Sequence, residues 1–304
     1  MAVNKSAHEQ ALLYPVGPRH HRAEFIPDWL RMLVVRKRLG FAGLVILFFV
    51  GGAAVLAPVL APYPYAETNF AARFLLPSWD HPLGTDNLGR DLLSRLLYGS
   101  RISLGISFGA VVLAKVAATV IGVISGYYGG WIDKIGQRFI DIWLSLPTLI
   151  ILVTLMGALG ANVLSMTVVI GLANIPGSSR LIRSVVVGVR EEPYVEAARS
   201  MGAKDSRIML LHVLPNIGHI IIYSATVTLG GVILIVASLG FLGYGVPAPH
   251  PDLGAMLSGD GLTYMRRMPL MAIWPGLTIT LVVFAFNIFG DALRDIFDPR
   301  MRGS

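Results

Sequence analysis

An all-α membrane protein with six spanning helices is the fold class this sequence predicts, and two observations carry it. Of its 304 residues, 54% are hydrophobic and only 14% charged, with a mean hydropathy of +0.66; soluble domains carry about 25% charged residues. The apolar residues are also gathered into the windows 39–60, 102–127, 140–159, 163–176, 217–242 and 268–289. A span needs about 20 mostly apolar residues. Backbone groups must be satisfied within lipid, so such windows form helices or barrel strands. Continuous runs without period-two alternation select helices.

Taken in order, residues 1–38 hold no apolar run of signal-peptide type. They are read as a cytoplasmic segment, and 39–60 as an uncleaved anchor. In the external segment 61–101, Pro82 and Gly84 predict a turn. A short amphipathic helix over 89–98 follows, with Leu88, Leu92 and Leu96 on one stripe and an Asp91–Arg95 pair at i, i+4. A core of five helices occupies 102–291. Its first window contains Lys115 and ends in Gly122, Gly126 and Gly130, a spacing that lets helices approach closely. The window 163–176 is the weakest, because Asn174, Pro176 and Gly177 interrupt it before Arg180; its helix can continue toward Val189. Residues 193–214 read as two short helices. Pro193 opens the first, Gly202 is a permissive joint, and Asp205 or Ser206 caps the second, with Pro215 at the entry to the next span. Residues 292–304 form a tail.

The basic residues set the orientation. With the N-terminus inside, 18 Lys and Arg fall in inner segments, six in outer ones, and Lys115 within a span. This asymmetry places both termini on the cytoplasmic side, and it accounts for the net charge of +7 without nucleic acid. The absence of cysteine removes disulfides and thiolate chemistry. His81, His212 and His250 lack metal-ligand spacing. Gly105-Ile106-Ser107-Phe108-Gly109 spells a nucleophile elbow but lies inside a predicted span, where no strand-to-helix turn exists. No glycine is followed by lysine, so there is no P-loop.

The element 193–214 bears a small-residue face at Ala197 and Ala198 and a charge at Glu196, a shape suited to a groove on a partner protein. An ordinary polar connection is the other reading of the residues alone. The order Glu196-Ala197-Ala198, Gly202 and Leu214-Pro215 resembles the EAA loop of ABC-importer permeases. The runs 81–104, 126–141, 240–257 and 286–299 resemble the C-type subunit of the dipeptide/oligopeptide/nickel family. Leu253 stands where relatives often carry Trp before the glycine.

The resemblance implies a type I importer permease fold in a prokaryotic inner membrane, with ATPase coupling through Tyr194, Glu196, Ala197, Ala198, Met201, Gly202 and Pro215. It implies a second, homologous permease chain, two ATP-binding subunits that hold ATP and magnesium, and an extracytoplasmic substrate-binding protein. This chain then needs no cofactor and has no catalytic residue. Di- or oligopeptides are the expected cargo; nickel complexes, glutathione and saccharides are the family's alternatives.

Lys115, Asn174 and Asn287 are the polar candidates for the pathway. For Lys115 two readings stand: a paired or snorkelling lysine at a packed interface, or a cation on the aqueous path that attracts a substrate carboxylate. Asn174 and Asn287 are expected to hydrogen-bond to neighbouring helices. An ion-coupled secondary transporter is the rival class. It calls for acidic relays within the spans, whereas Asp141 and Asp291 lie at span ends. A non-transporting membrane anchor is the third.

Overall fold

The computed structural model describes residues 32–34 and 37–297. Most of the expected N-terminal segment and the end of the tail lie outside the described residues.

Nine helices of eight residues or more organise the described chain. They are α1 (Arg38–Val55), α2 (Leu92–Tyr128), α3 (Gly130–Ser145), α4 (Thr148–Leu159), α5 (Val163–Val189), α6 (Pro193–Ser200), α7 (Asp205–Tyr244), α8 (Leu253–Thr263) and α9 (Leu270–Phe297). Among the described residues no strand forms. Four helices, α1, α2, α7 and α9, are long and apolar enough to cross a membrane, and α3 with α4 makes a fifth crossing if that bent pair is one span. The sixth expected crossing falls on α5. It is long enough at about 1.5 Å per residue, but the polar stretch from Asn174 to Arg180 dilutes its apolar character.

Helix pairing gives the topology independently of hydropathy. Gly109 meets Thr167, Gly122 meets Ser179 and Ile182, and Gly126 meets Arg183 and Val186. The numbers rise together, so α2 and α5 are parallel neighbours, and α3–α4 must carry the chain back between them. At one end of the bundle Leu92 packs with Met268 and Met271; at the other Tyr127 packs with Ile208 and Ile217. Between these two ends the chain passes six times.

Three expectations are corrected. The short helix over 89–98 is not separate: α2 starts at Leu92 and runs unbroken for 37 residues. Asp91 is its N-cap, accepting from the Ser94 backbone N–H at 2.7 Å, and it also meets His81 Nδ1 at 3.0 Å. Arg95 lies 3.7 Å from Asp86 instead of pairing with Asp91. The window 140–159 bends by 86° between α3 and α4. Pro147 is the cause, because it pushes Leu146 into extended backbone. The helix expected to end at Leu214 continues into the next span. A π-helical turn, Met209–Val213, precedes Pro215, whose ring and missing N–H are poorly tolerated in a regular helix.

The segment between α1 and α2 forms an ordered cap at one end. Asp86 accepts from the backbone N–H groups of Leu88 and Arg90, each at 2.9 Å, and from Arg90 Nε at 2.5 Å. Arg90 and Asn87 then reach Asp260 of α8 at 3.3 and 3.0 Å. At the opposite end α1 is fixed to α9 by Lys37 and Asp295, 2.5 Å apart.

Candidate functional site: a hinged loop beneath a polar cavity

At the end of the bundle opposite the cap, α6 and the start of α7 flank a bend, and Lys204, not the expected Asp205 or Ser206, is the N-cap of α7, with no side-chain cap bond. Gly202 sits between them with φ of +78°, in the left-handed region that side chains disfavour. The element is welded to the bundle from above. Val195, Ala198 and Ile208 are buried in one apolar cluster with Tyr127 and Val123 of α2, Ile182 and Val186 of α5, and Ile217 of α7. Ala198 therefore faces inward and is 4% exposed, not on an outward docking face. Glu196, Ala197, Gly202 and Pro215 are exposed. Tyr194 is partly exposed, and Met201 projects with 82% of its surface free. Of the predicted coupling residues only Ala198 is turned inward, and the exposed ones share the loop's outer surface with the charged Arg199, Lys204 and Arg207.

The two ends that meet this element are themselves tied. Gly122 and Gly126 allow α5 to approach so closely that a Cβ would stand 2.8–2.9 Å from the Ser179 and Arg183 carbonyls. Gly130 does not share this role: no atom lies within 4 Å of its Cβ position, and its φ is +56°. Arg183 pairs with Asp133, and Arg180 with Asp141, so two ion pairs hold α3 to α5.

Above the loop lies an open cavity of about 510 Å³ with a mixed lining from α2, α3, α4, α5, α7 and α9, apolar at Leu144, Leu181, Val227 and Ile235. Lys115, Asn174, Ser178, Tyr223, Thr228, Asp291 and Arg294 line it. Lys115 is 6% exposed, and its Nζ donates to Ser178 Oγ at 3.1 Å. The lysine is paired across a helix interface and also borders the cavity. Asn174 shares the cavity, but its amide donates to the Ile170 carbonyl of its own helix at 2.8 Å, not to a neighbouring helix. Asn287 likewise donates to Val283 of its own helix at 2.8 Å, and it lies outside this cavity. The sequence reading missed Ser178, Tyr223 and Thr228, which a span-by-span search for charges does not single out, and counted Arg294 only toward orientation.

Comparison with known proteins covers nearly the whole chain. Residues 118–303 match the family described as binding-protein-dependent transport system inner membrane component. Residues 30–77 match the N-terminal TM domain of oligopeptide transport permease C. The dipeptide transport system permease protein DppC of Alkalihalophilus pseudofirmus is 41% identical over 98% of this chain and 99% of its own length. Its namesake in Haemophilus influenzae is 37% identical over 88% and 92%. The glutathione transport system permease protein GsiD of Pectobacterium atrosepticum is 38% identical over 90% of each chain. Among solved structures, a chain of the inward-facing MetNI methionine ABC transporter superposes with a TM-score of 0.54. It is 20% identical and covers 67% of this chain and 97% of its own. That likeness concerns the fold.

Proposed function

Because this chain belongs to the inner-membrane components of binding-protein-dependent transport systems, the permeases of ABC importers, we propose that it carries di- or oligopeptides through the cavity beside Lys115. In this reading the hinged loop faces the cytoplasm. Tyr194, Glu196, Ala197 and Met201 enter a groove on an ATP-binding subunit, and Gly202 sets the angle between the two arms. Ala198 anchors the loop to the bundle, and Pro215 lies where the second arm becomes a span. ATP and magnesium belong to two separate ATP-binding subunits. A second permease chain supplies the other wall of the path, and an external binding protein delivers the solute to the cap end.

The observation that carries this reading is the loop's double character. One face is fused into the core shared by α2, α5 and α7, while Met201 and its neighbours project outward. An ordinary connection needs neither feature. Peptide as cargo is supported by the dipeptide permeases that resemble this chain over most of their length and by a buried ammonium beside the cavity. A switch of this kind works only if the partner binds two conformations unequally.

The test is reconstitution of the full transporter in proteoliposomes with its binding protein. Peptide should stimulate ATP hydrolysis and be taken up, and Gly202→Pro should abolish uptake, since proline cannot adopt a φ of +78°. Wild-type uptake in that variant would remove the hinge from the mechanism.

A further inference from the structure

One side chain joins both arms of the hinged loop to a membrane helix. Tyr127 lies in the last turn of α2 with its ring 5% exposed, packed in the apolar cluster that also holds Val195, Ala198 and Ile208. Its hydroxyl donates to Asp205 Oδ1 at 2.8 Å and accepts from Arg199 Nη2 at 3.4 Å. Arg199 precedes Gly202 and Asp205 follows it, so a single oxygen bridges the two sides of the joint. The Arg199 guanidinium also stands 5.6 Å from the centre of the tyrosine ring, within cation–π range.

The backbone of the same turn is held separately. Arg190, which caps α5, donates from Nη1 to the Gly126 carbonyl at 3.0 Å and reaches the Tyr127 carbonyl at 3.5 Å. These are terminal carbonyls with no partner inside their own helix, and a guanidinium is favoured there by the helix dipole. Tyr127 is therefore gripped through its carbonyl by α5 and through its hydroxyl by both arms of the loop.

We propose that Tyr127 is the positioning residue through which the hinged loop drives α2, and with it the Lys115 wall of the cavity, when the ATP-binding subunits move. This rests on the coupling role proposed for the loop. A general apolar contact would let the two slide; a hydroxyl shared between Asp205 and Arg199 fixes the hinge angle and the attachment together.

The experiment uses the complete transporter in proteoliposomes, with uptake and ATP hydrolysis measured on the same sample. Tyr127→Phe keeps the ring and removes only the hydroxyl. Uptake per ATP hydrolysed should fall about tenfold, the size expected for losing hydrogen bonds to charged partners. Asp205→Asn keeps an acceptor and should stay near wild type, whereas Asp205→Ala, at an exposed position, should reproduce the loss even if Tyr127→Phe assembles poorly. The chain has no cysteine, so spin labels at Tyr128→Cys and Ser206→Cys can report the spacing directly. That spacing should hold across nucleotide states in the wild type and vary with nucleotide in Tyr127→Phe. Unchanged uptake per ATP in Tyr127→Phe and Asp205→Ala, or a wild-type spacing that changes with nucleotide, overturns the proposal alone. Failure of the wild-type chain to retain ATP-binding subunits overturns the coupling reading and the proposal with it.

Discussion

Lys115 shows how far one residue can be read. Its place within an apolar window is visible in the sequence, and a lysine at the centre of a span costs about 2.5–3.5 kcal/mol. Its single bond to Ser178, at 3.1 Å, and the polar cavity beside it are not visible, because the partner is 63 residues away in the chain. Under the proposed function, Lys115→Met should reduce uptake of a peptide with a free carboxyl terminus about tenfold, the equivalent of roughly 1.4 kcal/mol. The amidated peptide should be little affected; equal loss for both would assign Lys115 to helix packing. Asp252 gives a pH-dependent counterpart in the connection between α7 and α8. It caps α8, its Oδ1 accepting from Ala255 N–H at 2.9 Å, while its Oδ2 is buried without a partner. Burial raises its pKa, opposed by the nearby backbone N–H groups of Ala255, Val246 and Gly254. A carboxyl with a raised folded-state pKa holds its proton more tightly when folded, so stability falls as pH rises from the ordinary carboxylate range through that raised value. Asp252→Asn retains the cap and should flatten this slope in thermal melts of the purified protein; an unchanged slope would trace it to another group.

At the scale of elements, the spans themselves were legible because long apolar runs have few alternatives in lipid. Their interruptions were less so. The elbow at Leu146–Pro147 follows from one proline within an otherwise continuous run, and only the structure shows that the bend reaches 86°. Asp91 caps α2 rather than pairing with Arg95, so the predicted external helix merges with the span that follows it. In the loop, spacing located the joint at Gly202 but not which alanine faces inward. Ala198 packs against α2 and α5, so Ala198→Glu would bury a carboxylate at a cost of several kcal/mol. It should displace the loop and reduce co-purification of ATP-binding subunits, whereas Ala197→Ser, on the exposed side, should not impair it; intact retention in Ala198→Glu would contradict the packing described. The α2–α5 contact invites a second test. Gly126→Leu must push against the Arg183 carbonyl and Val186, and overpacking of this kind costs about 1–3 kcal/mol. The melting temperature should drop, while Gly130→Leu, with open space around it but a positive φ, should cost backbone strain without parting the helices. A cross-link between α2 and α5 that forms equally well in both variants would speak against the close approach.

The described residues form a bundle in which the chain passes six times between an ionic cap at one end and a bent loop at the other. The parallel pairing of α2 and α5, the return through α3–α4, and the loop packed against them place the proposed coupling element at the same end of the bundle as Asp291 and Arg294 of the cavity lining. Charge asymmetry in the sequence implies a cytoplasmic position for that end, and the resemblance to the EAA loop implies an ATP-binding partner there; contact between Tyr127, Arg199 and Asp205 was beyond either signal, since those residues lie 72 and 78 positions apart. The most direct test places a photo-crosslinking residue at Met201 in intact membranes containing the assembled transporter. Adducts with an ATP-binding subunit are expected, changing in yield when nucleotide is bound. Adducts only with an external binding protein, or none with any nucleotide-binding chain, would contradict the account.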